Sequence, residues 1–122
     1  MRSACRQSLA SPLAFIFLVI AFGAPVITVA AEFRCTLKDV VVFGNRVHCQ
    51  CATTTLDGSA KIRYFAVATA DAKLADRLLT IGTTALVSGR RLIAGYTAGD
   101  VSGNSFGCRS NDCRKLTYFG ME

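Results

Sequence analysis

Cysteine is the residue type through which this sequence could most directly do chemistry, and two of its six cysteines lie close together near the C-terminal end. Cys108 and Cys113 bracket four residues, and three of those four, Ser110, Asn111 and Asp112, favour tight turns. Two thiols at this spacing can bind a metal, exchange electrons or close a disulfide. A thioredoxin-type redox site is disfavoured, because it uses Cys-x-x-Cys at the start of a helix. The choice between metal and disulfide depends on the compartment in which the chain folds.

The N-terminal segment has the order of a secretory signal peptide. A positively charged start is followed by an apolar run over residues 13–29, and small residues stand at Ala30 and Ala31. Pro25 and the small-residue ending favour cleavage over a membrane anchor. We therefore predict that residues 1–31 are a signal peptide. The mature protein is expected to be secreted or periplasmic, and not held in the membrane.

Disulfides are the predicted use of the five cysteines that remain after cleavage, because an oxidising compartment favours them and a small domain needs them. The turn residues between Cys108 and Cys113 let the chain fold back, as disulfide geometry requires, so these two form the first predicted pair. Cys35 is expected to pair with Cys49 or Cys51, which are two residues apart and share one face of a strand. The remaining cysteine is then free and buried, or it joins two chains.

Zinc is the alternative use of these thiols. It would combine His48, Cys49 and Cys51 with a C-terminal cysteine, but Cys-x-Cys beside a histidine is poor zinc spacing. His48 is the sole histidine and falls within a predicted strand, and no second histidine or nucleophile signature accompanies it. We therefore expect no metal, no cofactor and no enzymatic activity.

The charge of the mature chain is mildly basic. Without the two arginines of the signal peptide it carries 12 basic and 8 acidic side chains, a net charge of +4. The basic residues are scattered, apart from two adjacent pairs, and they form no stripe that would follow a phosphate backbone. We therefore expect no nucleic-acid partner.

Alternating apolar residues predict five strands, over residues 33–43, 46–56, 61–69, 91–98 and 113–121. The first strand is expected to bend near Asp39, which interrupts its apolar set. Gly44-Asn45 predicts a hairpin turn in which Gly44 supplies a positive φ, and Asp57-Gly58 predicts another. The inner face of the second strand is predicted to carry Val47, Cys49, Cys51, Thr53 and Thr55.

Between the third and fourth strands the apolar period changes to that of a helix. The predicted stripe consists of Leu74, Leu78, Ile81 and Ala85, widened by Leu79 and Leu86. Asp71 is the predicted N-cap, and Gly89 occupies the C-terminal cap position. Gly82 within the helix indicates close packing, either against a strand or, less favoured, between subunits.

Five strands with one helix before the fourth strand predict a mainly β protein. The order β-β-β-α-β-β over residues 32–122 is that of a single OB-fold domain, a five-stranded Greek-key barrel. Closing the sheet into a barrel would also remove most exposed strand edges.

The run LLTIGTTALVSGRRLIAGYTA at residues 78–98, followed by GCRSNDC, resembles B subunits of the A-plus-five-B bacterial toxins, with the closest likeness to subtilase cytotoxin and its pertussis-type relatives. The matching features are a leucine pair in the helix, a small residue and glycine at its end, and the bracketed C-terminal cysteines. Phe33-x-Cys35 and Cys51-Ala52 also look similar. The resemblance implies disulfide positions at Cys35, Cys51, Cys108 and Cys113.

The same resemblance implies a function. In such toxins five B chains form a ring whose helices line a central channel, a pocket on the barrel flank binds cell-surface glycans, and an enzymatic A subunit sits above. It therefore predicts a pentameric, glycan-binding protein. The alternative is a monomeric periplasmic or extracellular OB-fold protein that binds another protein or a small ligand.

No sugar-binding residue is carried over from the resemblance, so the ligand-binding candidates come from expected exposure. They are His48, Gln50 and Thr54 on the outer face of the second strand, and Asn104 in the loop over residues 99–107. The chain has no tryptophan. Tyr64, Tyr96 and Tyr118 are therefore the candidates for a flat platform under a sugar ring.

Overall fold

The computed structural model of the protein describes Gly23 and residues 28–122. Its five strands are β1 (Ala30–Val42), β2 (Arg46–Asp57), β3 (Ala60–Ala68), β4 (Arg91–Thr97) and β5 (Cys113–Met121), and its helix is α1 (Ala72–Ser88). A short 3-10 helix, Ser102–Phe106, lies in the loop before β5. The predicted element order is confirmed, with α1 between the third and fourth strands.

The five strands close into a barrel in the order β1-β2-β3-β5-β4, with β4 returning to pair with β1. All neighbours are antiparallel except β3 and β5, which run parallel. This arrangement, with one helix before the fourth strand, confirms the predicted mainly β fold and is consistent with an OB-fold. The barrel core is filled by apolar side chains from every strand, and Phe65 and Ile62 are the largest that are fully buried.

Three register shifts interrupt the pairing of the described strands, and one of them lies between Gly95 and Tyr96 in the pairing of β4 with β5. The pairing of β1 with β2 shifts between Leu37 and Asp39, which confirms the predicted bend. The pairing of β2 with β3 shifts further, because residues 51–54 of β2 lie opposite Arg63 alone. The prediction that Thr53 faces inward is wrong for this reason: the side chain is exposed on the bulged part of β2.

The two predicted hairpin turns differ. Gly58 has a φ of 62°, which is the left-handed conformation that a tight turn needs from glycine. Gly44 is not among the described residues with positive φ, so that part of the prediction is wrong. The chain turns over three residues there, and Thr69 holds the turn by donating from Oγ1 to the Gly44 carbonyl and from its N–H to the Asn45 carbonyl. These tertiary bonds make a left-handed glycine unnecessary.

The caps of α1 are the predicted ones. The side chain of Asp71 accepts from the Leu74 N–H at 3.3 Å, and Gly89 has a φ of 69°. The buried face of the helix carries Ala75, Leu78, Gly82 and Ala85, with Leu74 and Ile81 beside it. The prediction that Leu79 and Leu86 widen this face is wrong, because they are 39% and 38% exposed.

Gly82 lies where α1 packs against the barrel, as the favoured interpretation predicted. A methyl group there would stand 3.0 Å from Sγ of Cys49 and 3.2 Å from a methyl carbon of Val40. Glycine at this position lets the helix approach β1 and β2 this closely without displacing Cys49 or Val40.

Two disulfides stabilise the barrel and its C-terminal loop. Cys35 of β1 is bonded to Cys51 of β2, which resolves the choice left open by the sequence, and Cys108 is bonded to Cys113. Within residues 28–122 the remaining cysteine, Cys49, is free and buried. Burial, and then the negative charge of Asp39, raise the pKa of the Cys49 thiol to about 12.

The predicted signal peptide lies largely outside the described residues. Its last two residues, Ala30 and Ala31, belong to β1 and pair with Thr97 and Tyr96 of β4. Within the described part of the chain, no helix combines the length and apolar character needed to cross a membrane.

Candidate functional site

A cavity of about 260 Å³ lies on the flank of the barrel, between the outer face of β2 and β3 and the loop closed by the Cys108–Cys113 disulfide. Its wall consists of Arg46, His48, Tyr64, Gly107, Arg109, Asp112 and Cys113. Because Val47 and Cys49 point into the core, the alternate residues of β2 face outward into this space.

The disulfide loop is held against the barrel by backbone hydrogen bonds. The carbonyl of Asp112 accepts from the N–H groups of both Arg63 and Tyr64, at 2.9 and 3.0 Å. The turn that closes the loop is formed by the Cys113 N–H, which donates to the Arg109 carbonyl at 2.8 Å. These bonds fix the distance between the loop and β3, and therefore the width of the cavity.

Arg114 stabilises the disulfide loop through hydrogen bonds to its backbone. It is 4% exposed, and its Nη1 donates to the carbonyls of Ser110 and Cys113 at 2.6 and 2.8 Å. Its Nε donates to Asp57, whose side chain also accepts from the Gly99 N–H. Burial opposes the charged form of Asp57, but the bonds from Gly99 and Arg114 and the charge of Arg114 outweigh it and lower the pKa of the carboxyl group.

Aromatic side chains form one end of the cavity. The rings of His48 and Tyr64, which both line the cavity, have centroids 5.0 Å apart, and His48 makes an edge-to-face contact with Phe43 behind it, with centroids 4.9 Å apart. The guanidinium of Arg46 lies over the Phe43 ring, 4.0 Å from its centroid. Flat apolar faces beside hydrogen-bonding groups suit a ligand that has both apolar and polar sides.

The folded protein favours the neutral form of His48. Burial and then the positive charge of Arg46 lower the pKa of the imidazole below its ordinary value, while Asp39 and Asp112 act in the opposite direction. A neutral imidazole offers one donor and one acceptor to a ligand in the cavity.

A second, smaller cavity of about 190 Å³ adjoins the first. Tyr64 and Asp112 line both cavities, and the second is completed by Thr54, Lys61 and Arg63. It opens where the bulge at residues 51–54 separates β2 from β3.

The four ligand-binding candidates from the sequence are placed differently. His48 lines the first cavity and Thr54 the second, whereas Gln50 is half-buried and lines neither. Asn104 is exposed, and its Oδ1 accepts from the Ser110 N–H at 3.0 Å, so it shapes the disulfide loop.

Sequence reasoning missed the charged groups of this site. Arg46, Arg109 and Asp112 come together only because the disulfide loop folds over β2 and β3. The turn residues between the two C-terminal cysteines were the one local signal, and they indicated the loop without indicating what it covers.

The tyrosines considered as sugar platforms lie in three settings. Tyr64 lines both cavities, and Tyr96 is buried in the core at 4% exposure. Tyr118 is 46% exposed on the outer face of β5, where its ring lies against Gly95 of β4 and its hydroxyl donates to Glu32 at 2.7 Å.

The zinc alternative is inconsistent with the structure, because Cys51 and both C-terminal cysteines are bonded in disulfides. Across residues 28–122, no group of three or more His, Cys, Asp and Glu side chains is placed to hold a metal ion.

No protein-family model, curated protein or solved structure matches the chain. The chemistry of the site therefore rests on its own geometry.

Proposed function

We propose that the protein is a secreted binding module that recognises cell-surface glycans through the flank cavity and works as an oligomer, in the manner of a toxin B subunit. The observation that carries the proposal is the cavity between the outer face of β2 and β3 and the disulfide loop, where Tyr64 and His48 stand beside Arg46, Arg109 and Asp112. Sugars present an apolar ring face and a rim of hydroxyl groups, and this wall offers partners for both.

The size of the cavity supports a small ligand group. Pockets for drug-sized molecules occupy about 300–1,000 Å³. At about 260 Å³ the flank cavity suits one sugar ring at the end of a glycan, with the rest of the chain outside. Two disulfides in a small domain support export, because such bonds persist in oxidising compartments.

The outer face of α1 supports assembly into an oligomer. Leu79, Leu86 and Val87 are exposed there, Val87 at 83%, beside an apolar cleft lined by Asp76, Arg77, Thr80 and Ile81. Apolar helix surface on a small domain favours contact with another chain. A ring of five copies with an A subunit above it is the toxin-like form of this assembly.

A glycan array probed with the mature chain tests the proposal. We expect binding to a restricted set of glycans and weaker binding in Arg109→Ala, with Lys38→Ala on the exposed face of β1 as the control. Light scattering after size-exclusion chromatography gives the mass in the same preparation. A monomer that binds no glycan would instead support an extracellular OB-fold protein with a protein or small-molecule ligand.

A further inference from the structure

The two flank cavities form one elongated site. They share the walls formed by Tyr64 and Asp112, and lie side by side along β3. A ligand that fills the first cavity therefore extends into the second if it has a further unit to place there.

The charge of this elongated site is strongly positive. Arg46 and Arg109 line the first cavity, Lys61 and Arg63 line the second, and Asp112 is the carboxylate between them. Four cations against one carboxylate give a net charge of +3, three quarters of the charge expected for the whole mature chain. Within residues 28–122, none of the four cations takes part in an ion pair. Their charge is therefore available to a ligand.

The cations are distributed between the cavities in equal numbers. A ligand with a single acidic group at its end would need only the pair at the first cavity. Arginine guanidinium groups bind planar or tetrahedral oxyanions through paired hydrogen bonds, and both cavities contain an arginine.

From this arrangement we propose that the site binds a linear polyanionic glycan, with anionic groups of two successive sugar units in the two cavities. This rests on the proposed function and specifies its ligand class: sulfated or uronic-acid-containing polysaccharide chains of the glycosaminoglycan kind. Each unit contacts two cations, and Tyr64 lies at the junction between the units.

Binding of a heparin-derived hexasaccharide, measured by isothermal titration calorimetry, tests the proposal. We expect the affinity to fall steeply as salt rises from 50 to 200 mM, because bound cations are released from the polyanion. Removing all sulfate groups from the hexasaccharide should weaken binding at least tenfold. 3′-Sialyllactose, which carries one carboxylate, should bind more weakly than the sulfated probe.

Variants in each cavity locate the two contacts. We expect Arg109→Ala in the first cavity and Arg63→Ala in the second to weaken hexasaccharide binding about fivefold each, as loss of one exposed charge pair would. Arg90→Ala, at the far end of α1, is the control and should leave the affinity unchanged. Charge reversal in Lys61→Glu gives a larger loss, and thermal melts show whether each variant is folded.

The outcomes separate this proposal from the proposed function. If 3′-sialyllactose binds as well as the hexasaccharide and only the first-cavity variant matters, the polyanion proposal is overturned while glycan binding stands. If a 12-nucleotide single-stranded DNA binds as tightly as the hexasaccharide, the proposal is also overturned, because the site would then bind any polyanion and would have no preference for a glycan. If no glycan binds, both proposals fail.

Discussion

Nε of Arg114 donates to Oδ2 of Asp57 at 2.5 Å, and only 4% and 9% of the two side chains are exposed. The pair joins the end of β2 to the disulfide loop, because Arg114 also donates to the Ser110 and Cys113 carbonyls. The loop that covers the flank cavity is therefore anchored by a buried charge on β5.

Asp57→Asn should be strongly destabilising, because it leaves the buried guanidinium of Arg114 without its counter-charge. We expect a decrease of about 3 kcal/mol in the free energy of unfolding, measured in urea under oxidising conditions. Lys38→Gln on β1, which neutralises an exposed charge, is the control. A loss below about 1 kcal/mol for Asp57→Asn would contradict the structural role of the pair.

Gly82 and Cys49 should be energetically coupled, because a methyl group at Gly82 would stand 3.0 Å from the sulfur. We expect Gly82→Ala to destabilise the protein by about 1–3 kcal/mol through overpacking, partly offset by the helix propensity of alanine. In Cys49→Ala the sulfur is gone, so adding Gly82→Ala should cost less than it does alone. Strict additivity in this double-mutant cycle, measured by urea unfolding, would argue against the contact.

The Cys35–Cys51 disulfide should contribute more to stability, and the Cys108–Cys113 disulfide should contribute more to glycan binding. The Cys35–Cys51 bond spans 16 residues and the Cys108–Cys113 bond spans 5. Loop-entropy estimates assign them about 3 and about 2 kcal/mol, so replacing the first pair with alanines should lower stability more. Glycan binding should suffer more from replacing the second pair, whose loop forms the cavity wall. The same ranking in both assays would contradict this division of roles.

His48 should make stability depend on pH near neutrality. The pKa of His48 is lowered in the folded protein, by burial first and by Arg46 second, so the unfolded chain takes up the proton at a higher pH. Its contribution to the free energy of unfolding is therefore lost as the pH falls from about 7.5 through the ordinary histidine pKa of about 6.5. Urea midpoints at pH 7.5 and 5.5 should differ more for the wild type than for His48→Gln. An equal difference would show that another group is responsible.

Local sequence signals predicted most of the fold. The change of apolar period at Asp71, the glycine at position 89 and the alternation in the strands are properties of neighbouring residues, and the structure has the corresponding elements. The turn at Gly44 was predicted wrongly because Thr69, 25 residues away, supplies the hydrogen bond that fixes it.

The site was predictable only in part, for a similar physical reason. His48 and Thr54 follow from the outward face of β2, which the alternation indicates. Asp112, which lines both cavities, is joined to β3 by hydrogen bonds from the Arg63 and Tyr64 N–H groups to its carbonyl, across about 50 residues of sequence. No pattern near Arg63 or Tyr64 shows this contact, so the pairing of the two cavities becomes visible only in three dimensions.

NMR titration of the ¹⁵N-labelled mature protein tests the central claim, that the space under the disulfide loop is the ligand site. A heparin-derived hexasaccharide and 3′-sialyllactose are added in separate titrations. We predict that the largest amide shift changes fall at Arg46, Tyr64 and Arg109, with Arg63 affected by the hexasaccharide. Largest changes around Tyr118 on the outer face of β5 or along α1, or no change with either probe, would contradict the claim.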